Sequence, residues 1–365
     1  MSRPTVAIID RQALRSNLAL ANSLAPNSKT MPMVKANAYG HGALEVCRTL
    51  VDAPAFGVTC IEEALSLRST GVAKPILLLE GTFSADEVAV AADHNFWLMV
   101  ENEPQKQAIL TSTAEKKVTV WLGIDTGMHR LGFQPEDIDQ HYQQLRASDK
   151  VAETIVLASH FACADDLQSM MTPEQIECFN RCVTKGDISS DNNVQFSLAN
   201  SAAILGWPES YSHWHRPGYM IYGNSPFSMA QNNADQLIPV MTFQSAIISL
   251  RQVKTGESVG YTRNWTAQRL STIATVTVGY GDGYPRQAPN GTPVLINGFR
   301  CPIVGRVSMD MITVDVSELS SVAIGDKVIL WGTDLLVSEV ADYCDTTGYE
   351  LLTRMPSRVP RKYIN

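Results

Sequence analysis

Through the first two thirds of this 365-residue chain one pattern repeats: a short apolar run rich in β-branched residues, then an amphipathic stretch, with Gly, Pro, Asn or Asp at the joints. The runs fall at 32–35, 56–60, 76–80, 96–100, 118–124, 154–160, 194–198 and 217–222. Segments such as 61–70, closed by Gly71, and 85–93 have the length and spacing of crossover helices. Strand, helix, strand in regular order implies parallel strands, because a parallel neighbour is reached only through a crossover. Eight is the number of strands that closes a TIM (β/α)8 barrel; an open doubly wound sheet shows the same alternation and ranks second. Near Leu237 the pattern changes, and 240–250, 271–278, 292–296, 311–316 and 327–331 read as strands separated by turns with little helix. The expected architecture is α/β: an N-terminal TIM (β/α)8 barrel over 10–236 followed by a C-terminal all-β domain over 237–365, with no long linker.

Composition narrows the function classes. Lys and Arg total 29 against 37 Asp and Glu, a net charge of −8, and no run of cations stands out, which argues against a phosphate backbone as partner. Apolar segments such as Pro75-Ile76-Leu77-Leu78-Leu79 are broken by charge far short of the roughly 18 residues that span a bilayer. The apolar stretch 5–9 is too short for a signal-peptide core and lacks a small-residue cleavage site. Seven cysteines, at 47, 60, 163, 178, 182, 301 and 344, form no CxxC pair and match no tetrahedral zinc template. They suit buried thiols in a reducing cytoplasm, so a cytoplasmic protein without a metal site is expected.

Five stretches are candidates for chemistry. In Lys35-Ala36-Asn37-Ala38-Tyr39-Gly40-His41-Gly42 a Lys ends an apolar strand and enters a Gly-bearing turn. At the carboxyl end of a barrel strand Lys35 would face the active-site mouth, where desolvation frees its amine for a Schiff base. Asn200 and Ser201 follow the seventh run, and Arg216-Pro217-Gly218-Tyr219 lies a short distance on. These residues read either as a helix cap and a turn or as a phosphate cradle, and barrel phosphate sites follow strands seven and eight. In Asp125-Thr126-Gly127-Met128-His129-Arg130, the planar fork of Arg130 matches a carboxylate. His160, ending the sixth run, is either a core histidine or a mouth-facing one. In the β region, Gly279-Tyr280-Gly281-Asp282-Gly283-Tyr284 lacks the following helix of a dinucleotide fingerprint. Tyr280 is there a turn aromatic or a phenol presented to a cleft. The fifth stretch, Gly305-Arg306-Val307-Ser308-Met309-Asp310, reads alone as a tight turn with a polar tip.

Jointly these stretches resemble the alanine racemases, pyridoxal-phosphate (PLP) enzymes built from a TIM barrel and a C-terminal β domain. Matching segments run from 34–42 to 358–361, essentially the whole chain. The resemblance implies that strand 1–9 joins the β domain and that Lys35 holds pyridoxal 5'-phosphate as an aldimine. Tyr280 would be the opposed base of a two-base racemisation. It further implies a head-to-tail homodimer in which Tyr280 and Met309 serve the partner's cofactor. Tyr39, Ser201, Gly218 and Tyr219 would surround the phosphate, with Asn200 and His160 nearby, Leu79 as an apolar wall and Arg216 facing the ring nitrogen. Arg130 and the Met309 backbone would take the substrate carboxylate. The implied activity is L- and D-alanine interconversion, supplying peptidoglycan precursor or serving alanine catabolism. A serine or broad-specificity racemase, an amino-acid decarboxylase on the same plan and a non-catalytic cofactor carrier are the rivals.

Three positions depart from the family pattern. Gly123 stands where many members carry a carbamylated Lys, Ser357 where many have a phosphate-binding Tyr, and Ser197 where a His is common.

Overall fold

After a first strand, β1 (Val6–Asp10), the chain makes eight strands that pair only in parallel. They are β2 (Lys29–Thr30), β3 (Phe56–Val58), β4 (Ile76–Leu78), β5 (Phe96–Val100), β6 (Val118–Gly123), β7 (Val151–Ala158), β8 (Val194–Ser197) and β9 (Trp214–His215). This computed structural model describes residues 3–184 and 188–365. Strands β3 to β8 form one ladder in chain order, and β2 pairs with β9. Backbone hydrogen bonds join the two sets. Gly57 N–H donates to Pro32 O at 3.0 Å, Val34 N–H to Gly57 O at 2.8 Å, and Arg216 N–H to Ala199 O at 2.9 Å. The eight strands therefore close on themselves, with helices such as Ile61–Ser69, Glu87–His94, Glu103–Leu110 and Ile138–Arg146 between them.

Burial explains why these residues form strands. Every residue of β3 and β4 is buried, as expected of parallel strands covered on both faces. Trp97, Trp121 and Trp214 come from β5, β6 and β9, yet their rings meet at centroid distances of 6.0, 5.3 and 5.7 Å. Strand β9 neighbours neither β5 nor β6, so the three indoles meet across the ring and fill its interior.

Two strand expectations are corrected. The run 32–35 is not a ladder strand: regular pairing ends at Thr30, a single bridge links Met33 to Gly57, and Lys35–Tyr39 is a tight turn. The run 217–222 is not a strand either, because β9 lies just before it and Tyr219–Tyr222 is one 3-10 turn. All four of those turn residues are buried, so an unbroken apolar run could not distinguish turn from strand.

These parallel strands belong to a unit formed by Arg15–Ala38 and Ala43–Leu237. A second unit comprises the residues up to Leu14, Tyr39–Gly42 and Ile238–Asn365. Its strands are β1, β10 (Met241–Val253), β11 (Ser258–Val259), β12 (Trp265–Thr266), β13 (Ser271–Val276), β14 (Pro293–Ile296), β15 (Phe299–Pro302), β16 (Ile312–Asp315), β17 (Lys327–Trp331) and β18 (Arg361–Ile364). The main path runs β15-β14-β17-β10-β1-β18, and β13 joins β10 to β16. Strand β1 runs antiparallel to β10 and parallel to β18. Two short helices, Val337–Tyr343 and Gly348–Thr353, add to this strand-rich unit. Among the described residues no helix is long and apolar enough to cross a membrane.

One buried group in β9 gives the fold a pH dependence. His215 is fully buried, neither ring nitrogen has a hydrogen-bond partner among the described residues, and Tyr211 packs on it at 5.0 Å. Burial, helped by the charge of Arg216, holds its pKa down at about 4. The unfolded chain, with a His pKa of about 6.5, binds the proton first, so His215 withdraws stability as pH falls from about 6.5 towards 4. The full loss is about 3 kcal/mol. Thermal unfolding of wild type and His215→Phe is expected to show a Tm difference that shifts in the variant's favour as pH falls through that window; a pH-independent difference refutes it.

Candidate active site

Lys35 follows β2 and is half-buried. Burial lowers its pKa, the Arg130 charge adds to that effect, and Glu80 and Glu63 oppose it. The turn it opens has an unusual backbone: Ala36, Asn37, Ala38 and Tyr39 have φ of 51, 54, 54 and 51°. Left-handed backbone costs a non-glycine residue about 1–2 kcal/mol, so the surroundings must hold it. Ala38 N–H donates to Val34 O at 2.8 Å, and Ala43 N–H to Asn37 Oδ1 at 2.9 Å. Glu63 accepts from Ala36 N–H at 2.7 Å and Thr59 N–H at 2.9 Å, tying the turn to the end of β3. Nothing in the sequence singled out Glu63, one of two adjacent glutamates in a helix's first turn. Tyr39 is buried, which pushes its phenol up to about 12, and it lies 6.3 Å from the Tyr349 ring.

On the neighbouring strand of the ring, Arg216 follows β9 and is only 5% exposed. Its guanidinium donates to Ser197 O at 2.9 Å, to the Ser197 hydroxyl, to Ser159 O and to Leu198 O at 3.4 Å. Ser197, one of the departures from the family pattern, thus grips Arg216 by side chain and backbone. Burial lowers the Arg216 pKa to about 10 against the opposing charge of Glu101, so the group remains a cation near neutrality. Asn200 caps the helix Ser201–Gly206, its Oδ1 accepting from Ala203 N–H at 3.1 Å. The Ser201 hydroxyl accepts from Gly218 N–H at 3.0 Å and Met220 N–H at 3.3 Å, which draws the segment after β9 onto the one after β8. Tyr219 is buried beside them.

His160 ends the segment after β7. Desolvation, then the charges of Arg216, Arg130 and Lys35, hold its pKa down at about 3, although the residue as a whole keeps an exposed surface. Its carbonyl accepts from Gln175 at 2.9 Å, and Gln175 also donates to Thr126 at 3.1 Å, joining this segment to the loop after β6. In that loop Asp125 accepts from Gly127 N–H at 3.0 Å and His129 N–H at 2.9 Å. Arg130 comes next, exposed, and among the described residues donates no hydrogen bond and makes no ion pair. Leu79, after β4, is half-buried. Lys35, Leu79, Arg130, His160, Asn200, Ser201 and Arg216 all follow the carboxyl ends of barrel strands, so one mouth receives them. Glu101, directly after β5, joins this set and was missed; its place after a barrel strand was the available signal.

In the strand-rich unit the Tyr280 loop is set by close backbone packing. A Cβ on Gly279 would lie 2.2 Å from Ser308 O, so only glycine fits there. Tyr280 N–H donates to Ser308 O at 3.0 Å and Gly281 N–H to Met309 O at 2.9 Å. The two sequence stretches therefore form one paired edge. Tyr280 is 38% exposed and Met309 53%, so both face outward from their unit rather than into its core. Asp282, fully buried beneath them, accepts from Arg3 at 2.5 and 2.7 Å, Arg358 Nε at 2.9 Å and Gly279 N–H at 3.0 Å. Arg358 also reaches Asp310 at 2.7 Å.

Comparison with known proteins matches the alanine racemase N-terminal domain over residues 9–226 and the alanine racemase C-terminal domain over 240–363. The chain belongs to the alanine racemase family. An alanine racemase of Photobacterium profundum is 47% identical over 364 residues, 99% of this chain and 100% of that one. A biosynthetic alanine racemase of Escherichia coli is 47% identical, covering 98% of each. Among solved structures, the biosynthetic alanine racemase of Pseudomonas aeruginosa superposes with a TM-score of 0.94 at 45% identity over 100% of both chains. That of Acinetobacter baumannii gives 0.92 at 40% identity, over 99% of this chain and 100% of that one. The family's two-part plan thus accounts for the whole architecture.

The buried Asp282 carries the load of the Tyr280 loop. Asp282→Ala is expected to cost about 1–3 kcal/mol, since it leaves the buried Gly279 N–H without its acceptor, while the partly exposed Arg3 and Arg358 keep Thr277 and Asp310. Urea unfolding of the two proteins measures it; a loss below about 1 kcal/mol would place the loop's support elsewhere.

Proposed function

We propose that this chain is a cytoplasmic, homodimeric, pyridoxal-phosphate-dependent alanine racemase. The relatives titled biosynthetic favour supply of D-alanine for peptidoglycan as its role. The observation that carries the reading is Lys35, an amine with a lowered pKa at a barrel strand's carboxyl end, facing a mouth that also receives Arg216 and Arg130. A lysine that sheds its proton readily can attach a carbonyl compound, and the cationic surroundings suit a phosphate and a carboxylate.

The donor set fits the cofactor. Lys35 is the attachment amine. Ser201, Gly218, Tyr219 and Tyr39 would hold the phosphate, assisted by Asn200 and His160, with Leu79 walling one side. Arg216 would donate to the ring nitrogen. A guanidinium there keeps its proton, so the nitrogen would receive a hydrogen bond rather than a charge. When bound, pyridoxal phosphate supplies the conjugated ring that accepts the electron pair left by the departing α-proton.

Inverting a stereocentre needs a proton removed from one face and returned on the other. Lys35 serves one face and Tyr280 of the partner subunit the other. Arg130 and the Met309 backbone fix the substrate carboxylate and thereby aim the Cα–H bond at the bases. An apolar pocket rejects one added hydroxyl weakly, so serine is expected to be a poorer substrate rather than an excluded one.

Circular dichroism of L-alanine mixed with purified holoenzyme tests the reading, with L-serine and Lys35→Ala alongside. The L-alanine signal should decay to zero, L-serine should decay more slowly, and Lys35→Ala should leave both unchanged. Tyr280→Phe should lower kcat by about 10² or more, the usual scale for losing an acid–base group. A stable L-alanine signal in the presence of bound cofactor would overturn the racemase assignment, and equal α-proton exchange from both enantiomers in Tyr280→Phe would overturn the two-base one.

A further inference from the structure

Glu101 is an acid of the barrel mouth to which the reading above gives no task. The register Val100–Leu122 between β5 and β6 sets it beside Gly123, at the carboxyl ends of neighbouring strands. A Cβ on residue 123 would lie 2.0 Å from Glu101 Oε2 and 2.7 Å from Cδ. The carboxyl group therefore occupies the volume that any side chain at 123 would need. Its backbone is fixed as well: Glu101 N–H donates to Gln105 Oε1 at 2.8 Å, and Gln105 Nε2 donates to Glu80 O at 2.7 Å. Burial pushes Glu101 up to about 7, while Arg216 and Arg130 pull it down and Asp125 opposes them.

The two arginines differ in what they need. Arg216 is already directed by the carbonyls of Ser197, Ser159 and Leu198. Among the described residues Arg130 has no such direction, and fixing a free arginine on a ligand costs rotamer entropy. We propose that Glu101 is a positioning residue that orients Arg130 towards the substrate carboxylate, in the space that Gly123 leaves open. This inference rests on the racemase reading for its substrate, but the carboxylate-binding role can be tested separately. Glu101 touches neither substrate nor cofactor in this role. It pre-orients one fork of the guanidinium so that the other meets the ligand at lower cost.

The test compares holoenzyme variants by racemisation kinetics and by calorimetric binding of propionate, a carboxylate of alanine's size without the amine. In Glu101→Gln, KM for L-alanine is expected to rise about tenfold with kcat within about threefold, and propionate affinity to fall by a similar factor. Gly123→Ala, which must displace the carboxylate, should reproduce that split. In an Arg130→Ala background, Glu101→Gln should add nothing further. Pairing Glu101→Ala with Gly123→Asp, which returns a carboxylate from the neighbouring strand, should recover part of the affinity. Unchanged KM and propionate affinity in Glu101→Gln, or an equal loss in the Arg130→Ala background, overturns the proposal. A wild-type enzyme that binds propionate but leaves L-alanine unconverted overturns the racemase reading, and the propionate arm then decides the role of Glu101.

Discussion

A closed ring of parallel strands delivers every strand's carboxyl end to one opening, and that constraint governs the rest of the barrel unit. Lys35, Arg130, His160 and Arg216 arrive there from different strands; burial lowers the proton affinity of Lys35, His160 and Arg216, and repulsion from neighbouring cations adds to it at Lys35 and His160. His160 is held neutral, which spares the mouth one charge. The acids Glu63, Glu80 and Glu101 arrive on the same side, from the segments after β3, β4 and β5. With His160 neutral, three cations face three acids, so the mouth carries no large net charge that would repel itself.

The pattern of short apolar runs made the barrel legible because every crossover leaves its own amphipathic helix between two strands. Lys35 and His160 could be found for the same reason, since each ends such a run, whereas Arg216 precedes the run at 217–222 and was read as part of the Arg216–Tyr219 turn. The run ends themselves were less legible. Left-handed φ at four successive non-glycine residues after Lys35 contradicts local preference, and it exists because Glu63, 27 residues away from Ala36 in sequence, accepts from that residue's N–H. No short-range rule contains such a contact. The last strand was misplaced for a different reason: Tyr219–Tyr222 is uniformly buried, so its hydrophobicity carries no period.

The Tyr280 loop shows a second limit of local reading. Its glycines suggested a turn, but the need for glycine at 279 comes from Ser308 and Met309, almost thirty residues on, whose carbonyls pair with the loop. Asp282 then binds Arg3 and Arg358, from opposite ends of the chain. A buried carboxylate with four donors is tolerated because each donor offsets part of its desolvation. The same arrangement leaves Tyr280 and Met309 facing outward, which suits residues proposed to complete a partner's site.

Arg216 illustrates how a substituted position keeps its purpose. With Ser197 in place of the imidazole common in the family, the guanidinium takes a hydroxyl and three carbonyls as acceptors. Neutral acceptors direct the group without cancelling its charge, whereas a carboxylate in direct contact would have done both. Burial brings the pKa only to about 10, so at neutral pH the proton stays on Arg216 and the group offers a donor, never a proton, to whatever faces it. In the proposed reaction that distinction matters. A cofactor ring nitrogen facing Arg216 would be held by a hydrogen bond and left unprotonated, which would weaken the ring as an electron acceptor, with Lys35 and Tyr280 as the proposed proton donors. The choice of arginine thus favours return of the proton to the same carbon, on either face, over competing outcomes.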